Sequence, residues 1–456
     1  MNHLYKRDLT NGSIAGSMLR FALPLMLGNL LQQCYNIADT LIVGQVLGAE
    51  ALAAVGSSYA LIVFITSIFI GLCMGCSAVL SIQYGAKDIR QMKQSIFSSL
   101  LIVGGTTLLL NILSLTFLSP IIKILQTPPE LEAMTYRYLF LIFLGMIPMA
   151  VYNFYAFLLR SVGNSSSPLY FLLISVALNI VLDVLFMVGL KMGVEGAAMA
   201  TVISQIVSAA GIYLYTWKQF PELRLSRDDR QIDFSSIRKI ASFSYLTCMQ
   251  QSVMNLGILM VQGLVNSFGT TVMAAFAAAV KIDSFAYMPV QDFGNAFSTF
   301  IAQNFGARRQ DRIRQGIRCA WLTTTLFAGI VSILVFFFAT ELMRIFIPAS
   351  EQEIISIGVA YLQIEGSFYI GIGYLFLFYG YFRAVSRPSV SLILTIISLG
   401  TRVILAYSLA AIPSLSYNGI WWSVPIGWIL ADIAGVLFYR RQAILVDRSV
   451  PNYIQL

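Results

Sequence analysis

Charged side chains are scarce in this chain of 456 residues, because only 11% of them are Asp, Glu, Lys or Arg. A soluble domain usually carries roughly 25% charged residues. Histidine occurs once, as His3, and no hydrophilic stretch is long enough to form a second, soluble domain. These absences argue against a soluble protein and against a metal site built on histidines.

Apolar residues are abundant, at 58% of the chain. Apolar stretches of about 20 residues, which are long enough to cross a hydrocarbon core of about 30 Å, recur along the sequence. We therefore predict an all-α integral membrane protein with twelve transmembrane helices. The segment 1–17 is polar and lacks a signal-peptide cleavage pattern, so we expect the first apolar segment to remain as a span. The predicted spans are 15–38, 52–80, 95–118, 135–159, 168–189, 195–217, 239–264, 271–303, 317–339, 355–382, 389–410 and 418–439.

The five cysteines all lie in or beside apolar segments. Cys73 and Cys76 have the spacing of a redox or metal pair. A zinc site needs more ligands than these two thiols, and the sequence offers no second pair. We therefore expect the cysteines to pack between helices as small apolar side chains and to bind no metal.

One motif occurs twice. SIQYGAKDIRQMKQSI (Ser81–Ile96) returns as AQNFGARRQDRIRQGI (Ala302–Ile317), roughly half a chain length later. A duplicated helical bundle is typical of membrane transporters. We predict an N-lobe of six spans at 1–218, a solvated cytoplasmic linker at 219–236 and a C-lobe of six spans at 237–456. Because each lobe has six spans, both lobes begin on the same side of the membrane, and they are therefore parallel repeats.

Basic residues predict the orientation of the chain. Most of the 29 Lys and Arg residues fall in connections on one predicted side. The other side holds only Lys123, Arg137, Lys191 and Arg344. Because Lys and Arg are enriched in cytoplasmic loops, we expect both termini to be cytoplasmic. The net charge of +8 then serves orientation and contact with anionic membrane lipid, and it needs no nucleic-acid partner.

Three segments resemble the multidrug and toxin extrusion (MATE) family, in its bacterial branches: NLLQQCYNIADTLIVGQVLGAEALAAVG (Asn29–Gly56), SPLYFLLISVALNIVLDVLFMVGLKMGVEGAAMATVISQ (Ser167–Gln205) and IAQNFGA (Ile301–Ala307). The resemblance covers essentially the whole chain. It implies two six-helix lobes in a V around a central cavity. It also implies efflux of amphipathic, often cationic compounds, driven by antiport of H+ or Na+ in the cell membrane.

Ionisable residues inside spans need an explanation, because each costs at least about 2.5–3.5 kcal/mol on insertion scales. The first half has Asp39 and Asp183 well inside the membrane, with no basic residue at matching depth. Helical rise places both in the outer half of the bilayer, in one layer with Thr201. Tyr35 and Asp39 share a helix face, and so do Asn179 and Asp183. Such a pair of carboxylates can take up a proton or hold Na+.

The resemblance implies an N-lobe cation site at positions that match Asp39, Asn179, Asp183 and Thr201, with Tyr35 nearby. Apart from H+ or Na+ as coupling ion, the resemblance implies no cofactor. The alternative is that these acids are structural and hydrogen-bonded to neighbouring hydroxyl groups.

The second half carries charges of both signs near the midplane, at Lys281, Asp283, Glu365 and Arg402. They predict either an ion-pair network that rigidifies the lobe or a contact between Glu365 or Asp283 and a cationic substrate. We also include Gln33 and Asn153 among candidate substrate-binding residues. Nearer the end of the chain, Asp432 is expected to snorkel or to pair with Arg440 or Arg441.

The sequence therefore predicts a monomeric antiporter for small amphipathic, cationic compounds. The main alternative is a flippase for lipid-linked precursors, although the acidic candidates favour cations. Two other classes of protein are disfavoured. A membrane enzyme would need acid, base or metal ligands in an interfacial loop, and a channel would need a filter-like loop. Aligning the halves puts Ile258 opposite Asp39 and Val403 opposite Asp183. This broken symmetry points to the N-lobe as the cation-coupling half.

Overall fold

The chain is almost entirely helical in the computed structural model, which describes residues 8–124, 127–231 and 233–448. Within these ranges there is no β-strand. The helices are α1 Ile14–Leu47, α2 Ala49–Gly85, α3 Ile89–Thr116, α4 Leu118–Ile124, α5 Pro129–Leu144, α6 Met146–Ser161, α7 Ser166–Asp183, α8 Gly193–Gln219, α9 Phe234–Asn266, α10 Thr270–Gly306, α11 Gln310–Phe337, α12 Ala339–Arg344, α13 Gln352–Gly366, α14 Tyr369–Ala384, α15 Pro388–Ala410 and α16 Tyr417–Arg448.

By length and composition, nine helices among the described residues can each cross a membrane, and two bent helix pairs raise the count to eleven. Helix α9, at the position of the seventh predicted span, has 33 residues and a length of about 50 Å, but its composition is more polar. The all-α membrane fold is confirmed, and the count of twelve is consistent with these helices.

Two of the predicted continuous spans are broken in the middle. Helices α5 and α6 meet at a bend of 43°, and α13 and α14 meet at a bend of 51°. Gly145 separates the first pair, while Ser367 and Phe368 separate the second. The two breaks occupy corresponding places in the two repeats. Broken helices of this kind are common in transporters, where they place polar groups at membrane depth.

The contacts divide the chain into two compact units. The first comprises Met1–Gln251 together with Ala302–Arg312, and the second comprises Ser252–Ile301 together with Ile313–Leu456. Among the described residues, apolar cores lie around Phe69 and Phe154 in the first unit and around Trp421 in the second. The lobe boundaries predicted from the sequence remain a prediction.

The segment between α8 and α9 is partly packed against the first unit, which corrects the expectation of a solvated linker. Phe220 and Leu223 are only 1% and 5% exposed and join the core around Phe154. Asp229 accepts hydrogen bonds from Ser226 and lies 3.6 Å from the Lys93 ammonium group. The apolar Phe220 and Leu223 explain the docking, because their burial removes apolar surface from water.

The duplication extends to individual hydrogen bonds. Ser77 donates to the Phe157 carbonyl at 3.0 Å, and its counterpart Ser298 donates to the Gly380 carbonyl at 2.9 Å. Helices α2 and α10 also end alike, because Lys87 and Arg308 both adopt a left-handed backbone, with φ of 59° and 55°. The repeated motif therefore encodes a repeated helix terminus.

Candidate functional site

The acidic pair predicted in the first half is assembled in the structure. Asp39 lies on α1, and Asp183 is the last residue of α7. Asp183 is fully buried, and the carboxyl groups of Asp39 and Asp183 are close enough to interact with each other. Two carboxyl groups can share a hydrogen bond only when one of them carries a proton. The acidic pair is therefore suited to take up and release a single positive charge.

The amide of Asn179 orients Asp183. In the orientation that satisfies both ends of the amide, its nitrogen donates to Asp183 Oδ2 at 2.8 Å and its oxygen accepts from the Thr201 backbone N–H at 3.0 Å. The hydroxyl groups of Tyr35 and Thr201 are 3.4 Å apart. Four of the predicted residues therefore contact one another around Asp183 through α1, α7 and α8. Asn179 is only 2% exposed, so this network is shielded from bulk solvent.

One oxygen on each carboxylate remains available. Asp39 Oδ1 and Asp183 Oδ1 are buried and have no hydrogen-bond partner among the described residues. An unpartnered buried acceptor is costly unless a proton or a cation satisfies it. Oxygen donors from two carboxylates and a hydroxyl are a suitable set for a hard cation. The residues present therefore fit either H+ or Na+.

Two features of this site were not predicted from the sequence. Tyr138 on α5 is only 6% exposed and lies close enough to both carboxylates to interact with them electrostatically. The helix after Asp183 also continues as a π-helical turn, Val184–Gly189. Such turns frequently mark functional sites. The only sequence signal for Tyr138 is its position beside Arg137 in the fourth predicted span.

The second unit holds a separate buried cluster. Asp283 on α10 and Glu365 on α13 are 6% and 1% exposed. Tyr361 approaches both carboxyl groups, and Arg402 interacts with both electrostatically. However, no Lys or Arg nitrogen among the described residues lies within 4.0 Å of either carboxylate. The side chain of Lys281 is exposed and does not join them. The cluster is thus looser than the predicted ion-pair network.

The remaining candidate residues are dispersed. Gln33 on α1 accepts from Asn36, and Asn153 on α6 donates to Met149 of its own helix at 2.9 Å. These two belong to the first unit, whereas Glu365 and Asp283 belong to the second. A substrate role for all four remains a prediction.

The expected pairing of Asp432 is wrong. Within the described C-terminal region, Arg440 and Arg441 form no ion pair with Asp432 within 4.0 Å, and its Oδ1 has no hydrogen-bond partner. The Asp432 carboxylate instead lies beside Gly371, since a Cβ added to that glycine would be 3.7 Å from Asp432 Oδ2. Because α16 continues as a helix beyond Asp432, the two arginines project from positions too far along its axis to reach back.

The cysteine pair lies in the apolar core around Phe154, and both thiols are buried. Cys76 Sγ is 3.1 Å from the Ser244 hydroxyl oxygen. No group of three or more potential metal ligands of the His, Cys, Asp or Glu type occurs among the described residues.

A duplicated bundle of membrane helices, with a buried acidic pair in one unit, defines the class of membrane transporters. Comparison with known proteins supports this assignment. The MatE family model matches residues 24–185 and 247–408, one copy in each repeat. The probable multidrug resistance proteins YpnP and YoeA of Bacillus subtilis are 28% and 27% identical to the chain. These alignments cover 95% and 97% of the chain and 96% of each relative.

The fold agrees with solved structures. A crystal structure of MATE in complex with MaL6 superimposes with a TM-score of 0.90 at 23% identity, and the match covers 97% of this chain and 99% of that one. The chain belongs to the MatE family of multidrug efflux transporters. Members of this family move solutes across membranes and are not enzymes. The resemblance inferred from the three sequence motifs is therefore confirmed.

Proposed function

We propose that this protein is an antiporter that exports small amphipathic, cationic compounds in exchange for H+ or Na+. The observation that carries the proposal is the interaction between Asp39 and Asp183, each with one buried oxygen that has no hydrogen-bond partner among the residues the structure describes. A coupling ion must bind and leave once per cycle. An acidic pair that lacks a basic partner is suited to both steps.

The coupling follows from a change in charge at this pair. A proton or Na+ at Asp39 and Asp183 neutralises the site and favours one orientation of the transporter, while its release favours the other. The bound ion and the substrate are then carried in opposite directions by alternating access. Asn179 and Thr201 hold Asp183 in place while its charge changes.

The names of the relatives support a drug-like substrate, since YpnP and YoeA are both described as probable multidrug resistance proteins. The acidic pair favours cationic compounds. The distribution of Lys and Arg supports a cell-membrane protein with both termini in the cytoplasm and anionic lipid around its basic loops. We further propose that the transporter works as a monomer and that it needs no cofactor beyond the coupling ion.

The test uses purified protein in liposomes, with a fluorescent cationic dye and with pH and Na+ gradients imposed separately. The gradient that drives dye export identifies the coupling ion. Asp39→Asn and Asp183→Asn each remove one carboxylate with little change in volume. We expect both variants to lose gradient-driven export by at least tenfold, because a neutral amide takes up no proton near neutral pH and lacks the negative charge with which a carboxylate attracts Na+.

The matched control is Glu130→Gln, which neutralises an exposed carboxylate in the first turn of α5. This control should export at the wild-type rate. Undiminished gradient-driven export by both aspartate variants would refute the proposed coupling site.

A further inference from the structure

The segment before α1 is held by two adjacent side chains of the second repeat. Gln303 Oε1 accepts from the Leu9 backbone N–H at 3.1 Å, and Asn304 Nδ2 donates to the Leu9 carbonyl at 3.2 Å. Gln303 and Asn304 are fully buried, and Leu9 is 1% exposed. The same Gln303 also donates to the Ser161 carbonyl at 2.8 Å. Both backbone hydrogen-bonding groups of Leu9 are therefore satisfied by this amide pair.

Arg312 strengthens this attachment from the start of α11. Its Nη1 donates to the Gly12 carbonyl at 2.9 Å, and its Nη2 donates to the Leu9 and Asn11 carbonyls at 3.2 and 3.3 Å. Its Nε donates to Asn304 Oδ1 at 3.1 Å. A planar guanidinium group spreads its donors over three nitrogens and can form all four of these bonds, whereas a lysine has three donors on a single nitrogen. We call Leu9, Gln303, Asn304 and Arg312 the N-terminal clasp.

The repeated motif brings the clasp into place. A side chain on Gly85 would overlap the Gln303 carbonyl, and a side chain on Gly306 would overlap the Ile82 carbonyl. The ends of α2 and α10 therefore cross with their backbones in direct contact, each through the glycine of its own copy of the motif. This close approach fixes the end of α10, which carries Gln303 and Asn304.

The clasp is not duplicated. The counterparts of Gln303, Asn304 and Arg312 in the first repeat are Ile82, Gln83 and Gln91. Gln91 instead receives a cap, because its backbone N–H donates to Asp88 at 3.0 Å. The chain has one N-terminal segment, so only the second copy of the motif carries the residues that bind it.

Helix α10 spans both compact units. It is continuous from Thr270 to Gly306, but Thr270–Ile301 groups with the second unit and Ala302–Gly306 with the first. A continuous helix cannot follow two bodies that move apart unless it bends or one attachment is released. The clasp and the glycine crossing make up that attachment to the first unit.

We propose that the N-terminal clasp is a lock that opens and closes once in each transport cycle. This inference rests on the proposed function, which works by alternating access. It adds the segment before α1 as the element that controls that movement. In the closed state the clasp ties the start of α1 to the end of α10. Asp39 lies 25 residues further along α1, about 38 Å away, so the lock and the acidic pair lie near opposite faces of the membrane.

The first experiment joins the two sides of the clasp. Leu9→Cys and Asn304→Cys are introduced together after Cys34 and Cys319, the two cysteines that are not buried, have been changed to alanine. A short bifunctional methanethiosulfonate reagent then cross-links the pair in proteoliposomes. We expect dye export to fall at least tenfold and to return when the cross-link is reduced.

The matched control is Arg137→Cys with Glu195→Cys. These two side chains lie 3.2 Å apart, on α5 and α8 of the first unit, and are not part of the clasp. Cross-linking this pair should leave export unchanged. Full export by the protein with a cross-linked clasp would overturn the proposal and would mean that α10 bends instead.

The second measurement needs no cross-link. Leu9→Cys is labelled with a maleimide, first at rest and then during dye export. The buried position should react several-fold faster during export, because the lock opens. When Arg312→Gln is also present, Leu9→Cys should react about tenfold faster even at rest, because the hydrogen bonds from the charged guanidinium group to the Leu9 and Asn11 carbonyls are lost.

The two proposals fail in different ways. Absence of gradient-driven export in the unmodified protein would contradict the proposed antiport. Normal export with a labelling rate that stays the same at rest and during export would contradict the lock alone.

Discussion

Tyr138 places a phenol beside both carboxylates of the acidic pair, as Tyr35 does from α1. Its side chain is almost fully buried on α5, and it interacts electrostatically with Asp39 and Asp183. A phenol can donate to a carboxylate and can also orient toward a bound cation through its oxygen. Tyr138 is therefore suited to stabilise the pair in both of its charge states.

We expect Tyr138→Phe to raise the concentration of coupling ion needed for half-maximal export about fivefold. The reason is that a neutral hydrogen bond is worth about 1 kcal/mol. The measurement is dye export at a series of ion concentrations. Tyr136→Phe removes a hydroxyl two residues away on the exposed side of the same helix and should cause no change. Equal ion dependence in the Tyr138 variant and wild type would remove Tyr138 from the site.

At the residue scale, the sequence predicts the acidic pair because an uncompensated charge inside a span is rare and costly. The spacing of Asn179 and Asp183 on one helix face also predicts their contact. Tyr138 could not be predicted in this way, since one tyrosine in a span that is rich in aromatics carries no signal of its own. The predicted pairing of Asp432 failed because Arg440 lies eight residues, about 12 Å, further along the same helix and Arg441 lies further still.

At the scale of helices, the crossing of α2 and α10 depends on glycine. We predict that Gly85→Ala lowers the thermal stability of the protein by several degrees, because overpacking in a close contact typically costs about 1–3 kcal/mol. Thermal unfolding in detergent measures this effect. Gly104→Ala is the matched control, since a side chain added there on α3 meets no other atom within 4 Å. Equal melting temperatures of the Gly85 variant and wild type would contradict the crossing.

The segment between α8 and α9 offers a second test at this scale. Hydrogen bonds from Ser226, and the nearby Lys93, hold the pKa of Asp229 below its ordinary value. The ionised form thus stabilises the docked segment, and this contribution is lost as the pH falls below about 4. We expect Asp229→Asn to speed proteolysis of the segment at neutral pH.

Limited proteolysis at Arg224 or Arg227 measures the exposure of that segment. Asp228→Asn, the adjacent change, is the control, because the Asp228 side chain is exposed whereas Asp229 is buried. Indistinguishable cleavage of the two variants would show that Asp229 does not fix the docking.

Sequence patterns predict most helices because apolar stretches of sufficient length are unambiguous in a membrane. The breaks between α5 and α6 and between α13 and α14 were missed, since helices in membranes also tolerate glycine without breaking. The docking of Phe220 and Leu223 was missed because the surrounding charges made the linker appear fully solvated.

At the scale of the whole molecule, the basic residues predict which loops face the cytoplasm. Cysteines introduced one at a time test this orientation with a thiol reagent that does not cross membranes. We expect Lys191→Cys to react in intact cells and Arg227→Cys to react only after permeabilisation, because Lys and Arg accumulate in cytoplasmic loops. The reverse pattern would invert the predicted topology and the direction assigned to export.

The segment Ala302–Arg312 belongs to the second repeat but packs with the first unit. The chain therefore cannot be cut between its repeats without breaking contacts. A cut between the two repeats would separate the Leu9 backbone from the Gln303 and Asn304 side chains that bind it, and Gln303 from the Ser161 carbonyl. Neither fragment would then be a complete folding unit, although each contains a full repeat. Co-expressed fragments should need each other to escape degradation. The ancestral duplication has thus become one interdependent polypeptide.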